Sequence, residues 1–228
     1  MILNFIKLSL IFIGCCLSTY SQNSCIDVPK GDKILIDGTI NLKEWEKSYI
    51  LPLHGGEFVK IQRFKDTLFI AVKGKAGGFC SLAIGNDNGF KILHSSTGLI
   101  TAEYIILNDA WKLVHDFKEP LNVNGKKYSR GSVRLTPEYR KSKLKQFGWY
   151  ANLIEMGDYS ETEYAIPLTE LQQKKLFISV VFFQIKAEEK VAKLPSGLDD
   201  DCLNKELISG SARNGLQFKP NSWLQIKI

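Results

Sequence analysis

The sequence predicts an all-β protein: an antiparallel, jelly-roll-like β-sandwich with one short helix, preceded by an N-terminal signal peptide. Three observations lead there. Short apolar segments with period-two or buried character recur along the chain, and Gly, Asn and Asp punctuate them at short intervals. Only one stretch carries both helix start and helix stop signals. Strands this numerous, without alternating helices, call for two facing layers.

Residues 1–21 have one cation, Lys7, and no acid; an apolar run from Leu8 to Leu17 follows, then Ser18, Thr19, Tyr20 and Ser21. That order is the signature of a secretory signal peptide, with Gln22 as the new terminus. A second exit is also written there, since Phe12-Ile13-Gly14-Cys15 resembles a lipoprotein box with Cys15 as the lipidated residue. The expected location is therefore secreted, periplasmic or at the cell surface. No segment reaches the ~20 apolar residues of a transmembrane helix.

Residues 22–228 are long enough to bury a core as one domain, and no linker or repeat divides them. The formal charge is +6, one of which leaves with Lys7, and so mild a balance implies no nucleic-acid partner. Cys25, Cys80 and Cys202 remain, an odd set that allows at most one disulfide. Their spacing matches no zinc knuckle, so no metal site is assigned.

The elements follow in order. Lys33 to Asp37 reads as a strand closed by the Asp37-Gly38 turn, and Leu42 and Trp45 share the face of a helical turn. Glu57–Phe64 and Thr67–Lys73 flank Lys65-Asp66 as a hairpin. Phe79–Gly85 and Phe90–His94 flank Asn86-Asp87-Asn88-Gly89, and Thr101–Leu107 and Trp111–Phe117 flank Asn108-Asp109. The helix begins at Thr136-Pro137-Glu138, an N-cap followed by a first-turn proline and an acid, and stops at Gly148. Strands follow at Trp149–Glu155, Glu161–Pro167, Leu176–Gln184 and Ser222–Ile228. Residues 187–215 read as a long polar loop.

Chemistry-bearing residues are sparse. Eight cations between Lys126 and Lys145 read as a solvated helix face and loop. His94 beside Ser95 and Ser96 lacks an elbow motif, and neighbouring strand residues point to opposite faces, so no catalytic residue is assigned. Glu155 and Glu163 have no separation that sequence can fix, as a glycosidase pair would require. Asp199, Asp200 and Asp201 lack the alternation of a calcium loop and read as a solvated turn.

Ile36-Asp37-Gly38 with Glu44-Trp45, then Phe69-Ile70-Ala71-Val72, then Glu163-Tyr164-Ala165-Ile166-Pro167-Leu168 before Leu171 resemble family 9 carbohydrate-binding modules and the wider DOMON-like sandwich group. The resemblance spans most of residues 22–228. It implies a non-catalytic binder of poly- or oligosaccharide, with an aromatic pair clamping the sugar and structural calcium nearby. No other cofactor is expected.

A pyranose ring offers an apolar C–H face to an exposed indole and hydroxyls to amides and acids. Trp45 and Trp223 read as core. Trp111, after the Asn108-Asp109 turn, and Trp149, after Gly148, are the expected stacking platforms, with Asn86, Asp87 and Asn88 as hydroxyl partners. The alternative is a surface interaction or structural domain without a small ligand. A haem-binding DOMON domain is a third class, for which His54, His94, His115 and Met156 are the available axial ligands.

Overall fold

A computed structural model describes residues 25–53, 56–95, 99–118, 122–123, 126–127, 136–171, 175–184, 191–209 and 213–228. The expected signal peptide lies outside them, as does the Cys15 lipidation site. Two β-sheets face one another. The larger holds β5 (Gly78–Asn86), β6 (Gly89–Ser95), β7 (Leu99–Leu107) and β8 (Ala110–Lys118) in sequence at one side. On the other side of β5 come β13 (Lys175–Gln184), β15 (Leu224–Lys227) and β1 (Ile26–Asp27), with β14 (Val191–Leu194) also paired to β13. The smaller sheet runs β11 (Tyr150–Met156), β12 (Tyr159–Pro167), β4 (Thr67–Lys75), β3 (Phe58–Phe64), β2 (Tyr49–Pro52). A separate two-stranded ladder joins β9 (Asn122–Val123) to β10 (Lys126–Lys127). The all-β sandwich expected from the sequence is the observed architecture.

The central core lies between the sheets, where Val59, Ile61, Leu68, Ile70, Val72, Leu82, Ile84, Leu93, Tyr164, Ile178 and Val180 meet. Phe182 reaches across it against backbone. A Cβ placed on Gly74 or Gly78 would stand 2.2 or 2.1 Å from its ring, so both strand positions demand glycine.

Both outer faces are covered as well. Over the larger sheet, α2 (Asp201–Ser209) and residues 213–223 bury Phe90, Tyr104, Trp111, Leu203, Leu207, Phe218 and Trp223 as a second core. Over the smaller sheet, residues 31–48 form a strap whose Ile34, Ile40 and Trp45 pack on Phe69 and Ala71.

Several sequence expectations change here. The stretch Lys33–Asp37 pairs with no strand; it is the start of the strap. Residues 187–215 are not one loop, because β14 and α2 lie within them. The chain thus has a second α-helix beside α1 (Pro137–Leu144), which continues as a 3-10 turn to Phe147 and stops at left-handed Gly148. Thr136 caps α1, its hydroxyl accepting from Tyr139 N at 3.3 Å.

The three cysteines are unbridged. Burial pushes the Cys80 thiol up to about 12, which keeps it protonated and inert.

Candidate functional site

The site is built on the β5–β6 hairpin. Asn86 faces Gly89 across a two-residue loop, Asp87-Asn88, so the turn centres one residue before the Asn-Gly pair. Asn86 Oδ1 accepts from Asn88 N at 2.8 Å, and its Nδ2 donates to Leu171 O at 3.3 Å, fastening the turn to the end of the opposite layer. A Cβ on Gly85 would stand 2.2 Å from Gly89 O, so the strand carries glycine where the hairpin closes.

Beside this turn lies a cavity of about 250 Å³. Ile84, Ile105 and Leu171 supply apolar wall; Asn86, Asn88, Lys91 and Glu103 supply amide, ammonium and carboxylate groups. Cross-strand register puts Ile84, Lys91, Glu103 and His115 in one row across β5 to β8, on the face turned toward the smaller sheet. Lys91 Nζ also donates to Phe147 O at 3.5 Å, joining the row to the segment after α1.

Of the expected site residues, Asn86 and Asn88 are brought into this cavity. Asp87 is exposed on the loop and does not line it. The two expected platforms are not surface groups, and this is a correction. Trp111 is 7% exposed, its indole donating to Phe218 O and its ring edge-on to Phe90 at 5.1 Å. Trp149 is 2% exposed, donating to Thr101 Oγ1 at 2.9 Å and stacked on Tyr164. Trp45 and Trp223 are buried, as expected. All four indoles are buried, so none presents an exposed stacking face. Lys91, Glu103 and Ile105 carry no sequence signal, since their meeting depends on strand register, and Leu171 stands in the sequence only as the close of a resemblance motif.

Asp37, Gly38, Trp45 and Glu163, from the motifs that carry the family resemblance, meet elsewhere, on the outer face of the smaller sheet. Glu163 is fully buried: its Oε1 accepts from the Trp45 indole at 2.9 Å, and its Oε2 from Gly38 N at 3.0 Å and Asp37 N at 3.2 Å. Burial pushes Glu163 up to about 7, outweighing the donors that favour its charged form. Glu161 accepts from Ile40 N at 2.8 Å and pairs with Lys73 at 2.9 Å. Gln62 donates to Asp32 O and Glu44 O, and Asn152 to Asp37 O. This cluster clamps the strap to the smaller sheet.

Other candidates dissolve for stated reasons. His94 Nδ1 meets Ser81 Oγ at 2.6 Å on the outer face of the larger sheet, while Ser95 Oγ accepts from the buried Arg140 guanidinium at 2.7 Å. The histidine and the serine after it therefore do point apart. Arg140, drawn from the expected solvated face into the interior, has its pKa lowered by burial to about 10 and stays charged. His115 packs on Phe147 at 5.1 Å on the inner face, so His94 and His115 cannot bind one haem iron. His54 and the Met156 side chain lie outside the described residues. Glu155 alternates with Asn152 and so faces away from Glu163, which rules out that carboxylate pair. Asp200 is not solvated: it caps α2 through Leu203 N and accepts from Lys219 N and the Trp223 indole. Among the described residues no group of three His, Cys, Asp or Glu side chains is placed to hold a metal ion, and no helix is long and apolar enough to cross a membrane.

No protein-family model matches the sequence, and no curated protein matches it. Among solved structures, the chain is similar to a family 9 carbohydrate-binding module from Caldicellulosiruptor kristjanssonii in complex with glucose. Identity is 9% and TM-score 0.46, over 90% of this chain and 95% of that one. The same module in complex with cellotriose gives 9% identity and TM-score 0.45, over 90% and 93%. A putative carbohydrate-binding protein from Bacteroides uniformis gives 9% identity and TM-score 0.42, over 89% and 98%.

Proposed function

We propose that this is an exported, non-catalytic carbohydrate-binding domain whose sugar site is the cavity beside the β5–β6 turn. The observation that carries the reading is the chemistry of that lining. Amide, carboxylate and ammonium groups alternate with Ile84, Ile105 and Leu171 around one concavity. Sugars need both halves, since hydroxyls require fixed polar partners while C–H faces require apolar wall. The volume lies just under the ~300–1,000 Å³ of drug-sized sites, which suits one ring. Tryptophan stacking plays no part in this mode.

Calorimetric titration with glucose and cellotriose, preceded by a glycan array, tests the proposal. Saturable binding, weakened about tenfold or more in Glu103→Gln, is the expected result, since a charged acceptor to a ligand hydroxyl contributes about 1.5–3 kcal/mol. Absence of binding to every glycan refutes it. The burial of all four indoles favours the second reading, a structural or interaction domain without a small ligand, and absence of binding is the outcome it expects.

A further inference from the structure

We infer that the cavity continues across the inner face of the larger sheet into a second sugar subsite walled by His115 and Phe147. The ligand is then an oligosaccharide of at least two rings, laid across β6 to β8. This rests on the proposed sugar site and deepens it.

The register row makes the two places one surface. Lys91 pairs with Glu103 and Glu103 with His115, so all three side chains rise from the same face of adjacent strands. Strands lie ~4.8 Å apart, which puts His115 about 10 Å from Lys91. That span exceeds one pyranose ring, so His115 would meet a different residue of a saccharide chain from the ring seated at Asn86. Lys91 and Glu103 line the cavity, and Lys91 also touches the Phe147 carbonyl.

The far end has the aromatic character that the tryptophans do not provide. Phe147 leans on His115 at 5.1 Å and on Phe117 at 4.2 Å. His115 is exposed and both phenylalanines are only half-buried, in contrast to the sealed indoles. Rings that hold one another lose little freedom when a ligand arrives, so the ledge is pre-organised. The imidazole adds polar ring nitrogens for hydroxyls, and the Glu103 carboxylate stands between the two subsites to serve either.

The test compares monomer and trimer on the full chain. Glucose and cellotriose are the first probes; if the array selects another sugar, that sugar and its trimer replace them. The expected result is a trimer bound about tenfold tighter than the monomer, the size of one aromatic contact of about 1.4 kcal/mol. In His115→Ala and in Phe147→Leu that ratio falls toward one, whereas Glu103→Gln weakens both ligands. His115→Ala changes an exposed edge-strand side chain, and its melting temperature verifies folding. A wild-type ratio near one, or a ratio unchanged in His115→Ala, overturns the second subsite while leaving the first. Binding of no sugar at all overturns both.

Discussion

Glu163→Gln gives the sharpest test of how the strap is held. The carboxylate accepts three N–H groups, the Trp45 indole on one oxygen and two backbone amides on the other. Glutamine keeps a single oxygen. Turned toward Gly38 and Asp37, it presents its NH2 to the indole N–H; turned the other way, it strands both amides. The smaller loss is one buried donor without a partner, and such a group costs about 1–3 kcal/mol. Protonated Glu163 loses less, because its hydroxyl oxygen can still accept while an amide nitrogen cannot. The pH dependence follows from burial holding the native pKa near 7 against an ordinary 4.5. Between those values the native state binds more protons than the unfolded chain, so stability falls as pH rises through that window, by about 3 kcal/mol at most. Urea unfolding of both proteins at pH 5 and pH 8 measures each quantity. The variant is expected to be less stable by about 2 kcal/mol at pH 5, to lose less at pH 8, and to show the flatter profile. Hydrogen exchange at the Gly38 and Asp37 amides should accelerate first. A variant within about 0.5 kcal/mol of wild type at pH 5, with unchanged exchange at those amides, would refute the clamp.

Gly74→Ala sets a methyl 2.2 Å from the Phe182 ring in the packed interior, and denaturant melts should show a loss of roughly 3 kcal/mol or more. Asp200→Ala strands Leu203 N, Lys219 N and the Trp223 indole at once; a loss of about 2–4 kcal/mol with reduced α2 helicity by circular dichroism is expected. Trp149→Phe removes the bond to Thr101 and should lower the melting temperature without altering sugar affinity, the reverse of what a stacking platform would do. Indole emission should be blue-shifted and unmoved by saturating sugar; a shift on binding would contradict the sealed positions.

The hairpins and α1 were legible because their signals are local. Asn108-Asp109 adopts positive φ at both residues, the turn its composition calls for, and Thr136-Pro137 caps α1 as its sequence requires. α2 was hidden because Asp199-Asp200-Asp201 looks like a solvated turn until Leu203 and Leu207, one helical turn apart, find a sheet to cover. The strap was misread as a strand because Ile34 and Ile36 alternate as a strand would, though their partners are side chains of the sheet beneath. The indoles failed for a related reason. The places of Trp111 and Trp149 just after the Asn108-Asp109 turn and Gly148 suggest exposed strand ends, and a turn in sequence does not say what packs over the strand that follows it. Here α2 and residues 213–223 cover the larger sheet and draw Trp111 into a second core, while Trp149 turns into the central one.

Closure of the smaller sheet by the strap also accounts for the resemblance motifs by the fold alone. Ile36-Asp37-Gly38, Trp45 and Glu163 lie far apart in sequence yet satisfy one another around a single carboxylate. Left-handed Gly38, whose Cβ would stand 3.0 Å from the Leu153 backbone, and the indole N–H are requirements of that clamp, met by its own hydrogen bonds. A residue set fixed by its own hydrogen bonds places no demand on what binds elsewhere. The cavity at Asn86, by contrast, draws on Lys91, Glu103 and Leu171, none of which the clamp touches. Mutations in the two places should therefore add: Glu163→Gln lowers stability at constant affinity, Glu103→Gln lowers affinity at constant stability, and the double variant shows both losses in full. Coupling above about 0.5 kcal/mol in either measurement would mean that strap and cavity form one unit after all.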